Sequence, residues 1–365
     1  GDISLTVDDF TLAGTNTVNA GTANIRLTPR TPTLSIEYGD IDTGVATVYY
    51  DSAWTGFIAG SYTIGDGTTP HTGDITITDV ASAPYTLSVL NGDFGGDTGG
   101  ISVTGDYSST GSLTLDSGSD GVSFDTVTVD LGAGVLTVAD AMTLTGDAIL
   151  RADGGIALQS TVTGTTPGAD DLTLEAVGSD ITVTGAVGAT RLGAISVPSA
   201  NNLTFNAGVT AASFDQTVGG TATTFSGAQD YTGSFAFTGV ALNVNGGMTA
   251  GGTTTITNSG PFTKNATGAV TSDGGFTQNG AGTNSIGTDI RTTNTGISFA
   301  TAVTLTESVQ FSTDTGAGDI SFATTVDGAT GAQALTVGTG TGTAIFQAGV
   351  GQLVELAGFT VQSGT

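Results

Sequence analysis

The run Ile297-Ser-Phe299-Ala-Thr-Ala-Val303 returns one period later as Ile320-Ser-Phe322-Ala-Thr-Thr-Val326. Phe346-Gln-Ala-Gly-Val350 repeats its second half at the next step, and Phe276 precedes Phe299 by the same interval as Phe299 precedes Phe322. The same frame recurs earlier as Leu203-Thr-Phe205-Asn-Ala-Gly-Val209, Ile181-Thr-Val183-Thr-Gly-Ala-Val187 and Ile156-Ala-Leu158-Gln-Ser-Thr-Val162. The template is apolar, polar, apolar, any three, Val. A recurring period of this kind marks a repeat architecture in which each unit buries its apolar face only against its neighbours.

Short alternating strands and glycine turns at such a period predict an all-β, right-handed parallel β-helix with coils of about 19–25 residues. Apolar positions two apart point inward and stack on their equivalents one coil away, while the intervening Ser, Thr and Asn face solvent. The 59 glycines suit the corners. Phe205, Phe299, Phe322 and Phe346 are expected to form an inward core stack.

Before about residue 110 the frame is harder to follow, although strands are expected at Ile3–Val7, Leu34–Tyr38, Ala46–Tyr50, Asp74–Thr78 and Tyr85–Leu90. This part holds six of the seven tyrosines, the single Trp54 and the single His71. Residues 1–110 therefore read as decorated, aromatic and acidic coils, and residues 111–365 as regular ones.

Hydrophobic content of 38% makes the chain too apolar for a disordered tail. Six basic residues against 33 acidic ones give a formal charge of −27, which repels nucleic-acid phosphates and anionic membrane surfaces. Residues 1–180 carry −21 of it and residues 181–365 the remaining −6. No apolar run approaches the roughly 18 residues of a membrane span, so direct membrane insertion is not expected. With no cysteine, neither disulfides nor thiolate metal sites are available. Because the chain opens on Gly1, we expect an interior or processed piece of something longer.

Gly1-Asp-Ile-Ser-Leu-Thr, Asp8-Asp-Phe-Thr-Leu-Ala-Gly-Thr-Asn-Thr-Val-Asn-Ala-Gly, Tyr62-Thr-Ile-Gly-Asp-Gly and Gly73-Asp-Ile-Thr-Ile-Thr resemble the repeat regions of giant filamentous-haemagglutinin-like bacterial surface proteins. Gly316-Ala-Gly-Asp-Ile-Ser-Phe-Ala-Thr-Thr-Val is similar to their commonest coil. The resemblance implies a β-solenoid in an extracellular or cell-surface setting, with a structural or adhesive role. The secretion-recognition domain of that family is not recognisable in the chain.

Catalytic constellations are sparse. Nucleophilic catalysis needs a base, yet only His71 is present, in the turn-like Thr-Thr-Pro-His-Thr-Gly, and a solvated loop position is expected for it. Asp40-Ile-Asp42 sets two carboxylates on one side of an extended segment, a pair suited to acid/base work on a polysaccharide or to a cation. Basic residues to hold an anionic sugar are nearly absent, so surface acid is the favoured reading and no catalytic residue is assigned. No cofactor is required. Calcium is the candidate ion, with Asp93, Asp97, Asp116 and Asp120 as candidate ligands beside turn carbonyls, although most such aspartates are expected to cap backbone amides. Thr-x-Thr pairs such as Thr182/Thr184 invite an ice-binding reading, but the aligned positions become Thr204/Asn206, Ser298/Ala300 and Ser321/Ala323. Tyr38, Tyr49, Tyr50, Trp54 and Phe57 are the candidate contact residues, with core packing as the competing reading.

The functional expectation is a structural segment of a bacterial surface filament, layer or adhesin stalk that continues end to end with itself. Surface glycans are a second candidate partner. The alternative is a polysaccharide-active or carbohydrate-binding β-helix protein.

Overall fold

The computed structural model describes residues 1–8, 16–44, 46, 48–54, 56–67, 71–92 and 99–362. It is all-β and without helix among those residues: short parallel strands wind a β-solenoid of about 16 turns. The chain divides into two compact units, Gly1–Leu192 and Gly193–Thr365. Each carries three parallel ladders.

In the first unit one ladder stacks Ile25, Tyr62, Leu87, Leu113, Leu136, Ile156 and Ile181 in register. A second stacks Ile75, Ile101, Val122, Met142 and Val162. The third runs through Tyr107, Val129, Leu150 and Leu174. The alternation of apolar and Ser/Thr residues along each strand places these side chains in the core, while their neighbours look outward. From Leu113 onward the first column is aliphatic, while Tyr62 and Tyr107 put rings in the earlier coils.

The second unit is built differently. Its ladders mix aromatic, aliphatic and polar inward residues: Thr223, Leu242, Phe262, Asn284 and Val303 on one, and Phe214, Phe235, Thr254, Phe276, Ile297, Ile320 on another. Rings on adjacent coils stack nearly parallel, as in Phe205–Phe225 (5.2 Å, 3°) and Phe299–Phe322 (5.7 Å, 3°). That spacing follows from the ~4.8 Å distance between neighbouring strands.

Two expectations need correcting here. Phe205 does not share a stack with Phe299, Phe322 and Phe346. Phe205 and Val209 belong to the ladders that run on through Phe225 and Gln229. Phe299 and Val303 belong to those that run on through Phe322 and Val326. Two of the three faces of a coil carry the same apolar-x-apolar-xxx-Val pattern, so the local motif cannot tell one from the other. The apparent Thr-x-Thr alignment from Thr204 to Ser298 fails for the same reason. Phe276, likewise, pairs with Ile297 rather than with Phe299, whose partner is Gln278.

Gly65 shows how tightly coils approach. Its φ of +81° lies in the left-handed region, and a Cβ there would collide with the Leu90 carbonyl of the next coil. Every coil is thus both template and cover for its neighbour.

Candidate functional site

The decorated coil of the first unit runs from Ile25 to its ladder partner Tyr62, a longer stretch than the next coil needs from Tyr62 to Leu87, and it contains an inserted strand. Ile36–Gly39 pairs with Ile75–Ile77 of the next coil on one edge and with Val48–Asp51 on the other. Alternation in the paired strands sends Tyr38 and Tyr50 inward, both at most 3% exposed, and Trp54 follows at 4%. Tyr38, Tyr50 and Trp54 are therefore core residues and not an open contact surface. Tyr49 and Phe57 are half-buried.

Trp54 adopts φ 46°, uncommon for a side chain of this bulk, and this turns its indole into the coil. There it stacks on Tyr62 (4.3 Å, 26°) and meets Phe57 and Tyr85 edge-on. Its Nε1–H donates to Tyr38 Oη at 3.3 Å; Tyr38 and Tyr85 share a hydroxyl hydrogen bond, and Tyr85 donates to the Ser52 carbonyl. Burial pushes the Tyr85 phenol up to about 12 and raises Tyr38 and Tyr50 beyond it. Tyr49 is also pushed up to about 12, by burial first and then by Asp51, Asp40, Asp42 and Glu37 around it. These phenols act as fixed hydrogen-bond donors across the physiological range.

The Asp40/Asp42 pair is engaged by backbone. Asp40 accepts the Ser52 hydroxyl and the Ala81 amide (2.7 Å) of the next coil, and Asp42 accepts the Gly44 amide at 2.9 Å. Forward capping of this kind recurs: Asp79 accepts Asp106 N–H, Asp147 accepts Asp171 N–H, Asp289 accepts Gln310 N–H, and Asp319 accepts Thr343 N–H. An aspartate at a corner thus satisfies an amide one coil ahead, a separation along the chain that no turn motif would reveal.

Of the candidate calcium ligands, Asp93 and Asp97 lie outside the described residues. Asp116 accepts the Gly118 amide at 3.3 Å, and Asp120 is exposed. Asp140, which accepts Ser117 N–H at 2.6 Å, is raised by burial and further by Asp116. Among the described residues no three His, Asp or Glu side chains converge as a metal site.

His71 corrects a further expectation. It is 3% exposed, with Nδ1 3.0 Å from Asn91 Oδ1, because Asn91 itself sits at an inward strand position and reaches the Gly73 and Gly99 carbonyls. Phe205, Phe299 and Phe322 are 1% exposed; Phe346 is half-buried and stacks on Phe322 at 5.2 Å.

The sequence reading missed the buried polar groups. Glu37 is fully buried and accepts the Thr43 amide. Lys264 occupies an inward position between Val244 and Ile286, and its ammonium donates to the Asn265 (2.8 Å) and Thr267 (3.0 Å) carbonyls. Gln278 donates to Asn258 Oδ1 and accepts from Asn284 and Thr301. The signal available was a polar residue at the second apolar place of the apolar-x-apolar frame, as in Phe262-Thr-Lys264 and Phe276-Thr-Gln278.

The outer faces are shallow. A cleft of about 440 Å3 is lined by Thr43, Thr76, Thr78, Asp79, Ser102, Thr104 and Gly105. No known protein family, curated protein or solved structure matches the chain.

Proposed function

We propose that this chain is a structural segment of a bacterial cell-surface or extracellular filament, surface layer or adhesin stalk, of the filamentous-haemagglutinin-like kind. It continues end to end with further coils, in a longer chain or in a second copy. The observation that carries this reading is the in-register parallel stacking within each unit, in which each coil pairs its backbone with the next. Electron microscopy of the particle in which the chain occurs tests the reading. Filaments or a layer with the solenoid as repeating element are expected; dispersed single particles carrying this chain overturn it.

A second reading, a carbohydrate-binding or polysaccharide-active protein, is favoured by the hydroxyl-lined cleft at Asp79. It predicts uronan or neutral-glycan binding or turnover that is lost in Asp79→Ala, or in Asp40→Ala and Asp42→Ala. Retention in all three removes it.

A further inference from the structure

Between Ile36–Gly39 and Val48–Asp51 the chain leaves the ladder and returns to it within one coil, whereas Leu113 and Val122 take both of their strand partners from neighbouring coils. Insertions into a repeat architecture gather on one face, and that face is commonly the binding one. The inserted loop is anchored at three points. Glu37, fully buried, accepts the Thr43 amide at 2.7 Å, Asp42 accepts the Gly44 amide at 2.9 Å, and Asp40 accepts the Ala81 amide of the next coil at 2.7 Å. These contacts hold Thr43 as one wall of the cleft of about 440 Å3, whose remaining lining comes from the strands Ile75–Ile77 and Ile101–Val103 and the residues just after them.

Thr76 and Ser102 in that cleft begin a longer row. Thr76, Ser102, Ser123, Thr143 and Thr163 are register partners on five successive coils. Each is half-buried and faces outward, because the residues on either side of it in the strand point into the core. Neighbouring members therefore stand one inter-strand distance, ~4.8 Å, apart. Ser123 donates to Ser102 at 2.9 Å, which leaves the Ser102 proton free to donate outward. The hydroxyls of Thr43 and Thr76 have no hydrogen-bond partner among the described residues. No basic or aromatic side chain lines the cleft, and residues 1–180 carry −21 of the formal charge. An anionic ligand is repelled there, and recognition must come from hydrogen bonds to uncharged groups.

We propose that this cleft binds the end of a linear, neutral polysaccharide, whose chain then runs along the hydroxyl row with one sugar to each coil. Repeat and chemistry both match. A hexose in an extended linear chain advances by close to one inter-strand distance, and its hydroxyls can pair with Thr and Ser, each of which both donates and accepts. The row stops at the loop, since the next register position before Thr76 is Glu37, which is buried and holds Thr43. A terminal sugar, not an internal stretch of chain, fits against that wall. Because the loop is already anchored, little ordering cost falls on binding. The inference rests on the carbohydrate-binding reading above and gives it a ligand class, a site and a direction.

The test uses the full chain and titration calorimetry with cello-, chito- and malto-oligosaccharides of increasing length, and with oligogalacturonates as the anionic comparison. Affinity for at least one neutral series is expected to rise with length and to level off at about five rings, the number of coils in the row. Oligogalacturonates should bind about tenfold more weakly or not at all. Thr76→Val with Ser102→Ala removes the cleft hydroxyls and should lower affinity about tenfold for every length. Thr43→Ala, at an exposed loop position, should lower it less and keeps the test open if the double variant unfolds. Thr163→Val, at the far end of the row, should weaken only the longest chains. A wild type that binds none of these sugars overturns the carbohydrate-binding reading and this inference together. Sugar binding that survives both the double variant and Thr43→Ala refutes the site and leaves that reading standing. A preference for oligogalacturonates, or affinity independent of length, refutes the neutral chain along the row.

Discussion

The two units solve the same packing problem with different materials. From Leu113 onward the first stacks mainly aliphatic columns, and aspartates at its corners reach forward to cap amides of the next coil. The second fills its columns with rings and tolerates Thr, Gln, Asn and Lys among them, with Gln278 and Lys264 tied to corner carbonyls or to another buried side chain. Aliphatic columns need no partner for any inward atom, whereas a mixed column must satisfy each polar group it buries. The second unit thereby gains directional contacts between coils, and its ring stacks make neighbouring coils interdependent.

The comparison breaks first at the rings. Phe299 is 1% exposed and lies between Phe276 and Phe322, with Phe311 edge-on. Phe299→Ala should destabilise the second unit by about 4 kcal/mol, the cavity cost of a large core residue plus its ring contacts. Leu150→Ala in the first unit should cost about 3 kcal/mol, because only the aliphatic share is lost. Amide exchange checks both the size and the reach: protection should fall in coils on both sides of Phe299 and in fewer around Leu150. Equal losses with equal reach would show that the rings add nothing beyond area.

How far the sequence disclosed this architecture depends on the same contrast. Where inward residues are aliphatic, the apolar-x-apolar frame reads directly, and Ile156 and Ile181 are ladder partners as their spacing suggests. Where Lys264, Asn284 or Gln278 takes an inward place, the frame breaks, because composition cannot show that a corner carbonyl waits for the ammonium or amide. The strands around Tyr38 and Tyr50 were legible as strands, but their pairing was not, since a parallel return inside a single coil leaves no periodic trace. That missing register is why the sequence leaves the aromatic cluster between contact surface and core, whereas Tyr38, Tyr50 and Trp54 are buried. His71 was misplaced for a related reason: its partner Asn91 is fixed by strand alternation in a distant part of the chain.

Lys264 gives a sharper and smaller test of the mixed column. Burial pushes its ammonium down to about 8, from an ordinary 10.5. Below pH 8 the folded and unfolded chains both hold the proton, and the burial penalty is fully present. Between pH 8 and about 10 the unfolded chain still binds a proton that the folded chain has released, so stability should rise with pH. Above 10 the tyrosines begin to ionise in the unfolded chain while the buried ones resist, which reverses the slope. Lys264→Met keeps the volume and removes the charge; it should gain roughly 1 kcal/mol at pH 7. Denaturant unfolding at pH 7 and 9.5 decides: a variant that keeps the wild-type rise places its origin elsewhere.

The smallest effect belongs to the outer faces, where the first unit's columns of charge invite a stabilising reading that solvent should erase. Asp130, Arg151 and Glu175 are register partners on three successive coils, and Arg151 Nε lies 3.0 Å from Glu175. The Arg151 side chain is 43% exposed, so the pair gains little Coulomb energy in water and loses side-chain freedom to form. Arg151→Ala should therefore cost no more than about 0.5 kcal/mol, and that difference should vanish as salt is raised to 1 M, where the screening length falls to about 3 Å. The forward aspartate caps differ, because each satisfies a backbone amide that would otherwise lack a protein partner: Asp147→Ala should cost about 1 kcal/mol. Salt should leave most of that loss in place, since it comes from a short-range hydrogen bond to a fixed N–H group. Paired unfolding curves of the two variants at low and high salt separate the contributions. A salt-insensitive loss at Arg151 as large as that at Asp147 would mean that the charge ladder, and not the amide capping, ties these coils of the first unit together.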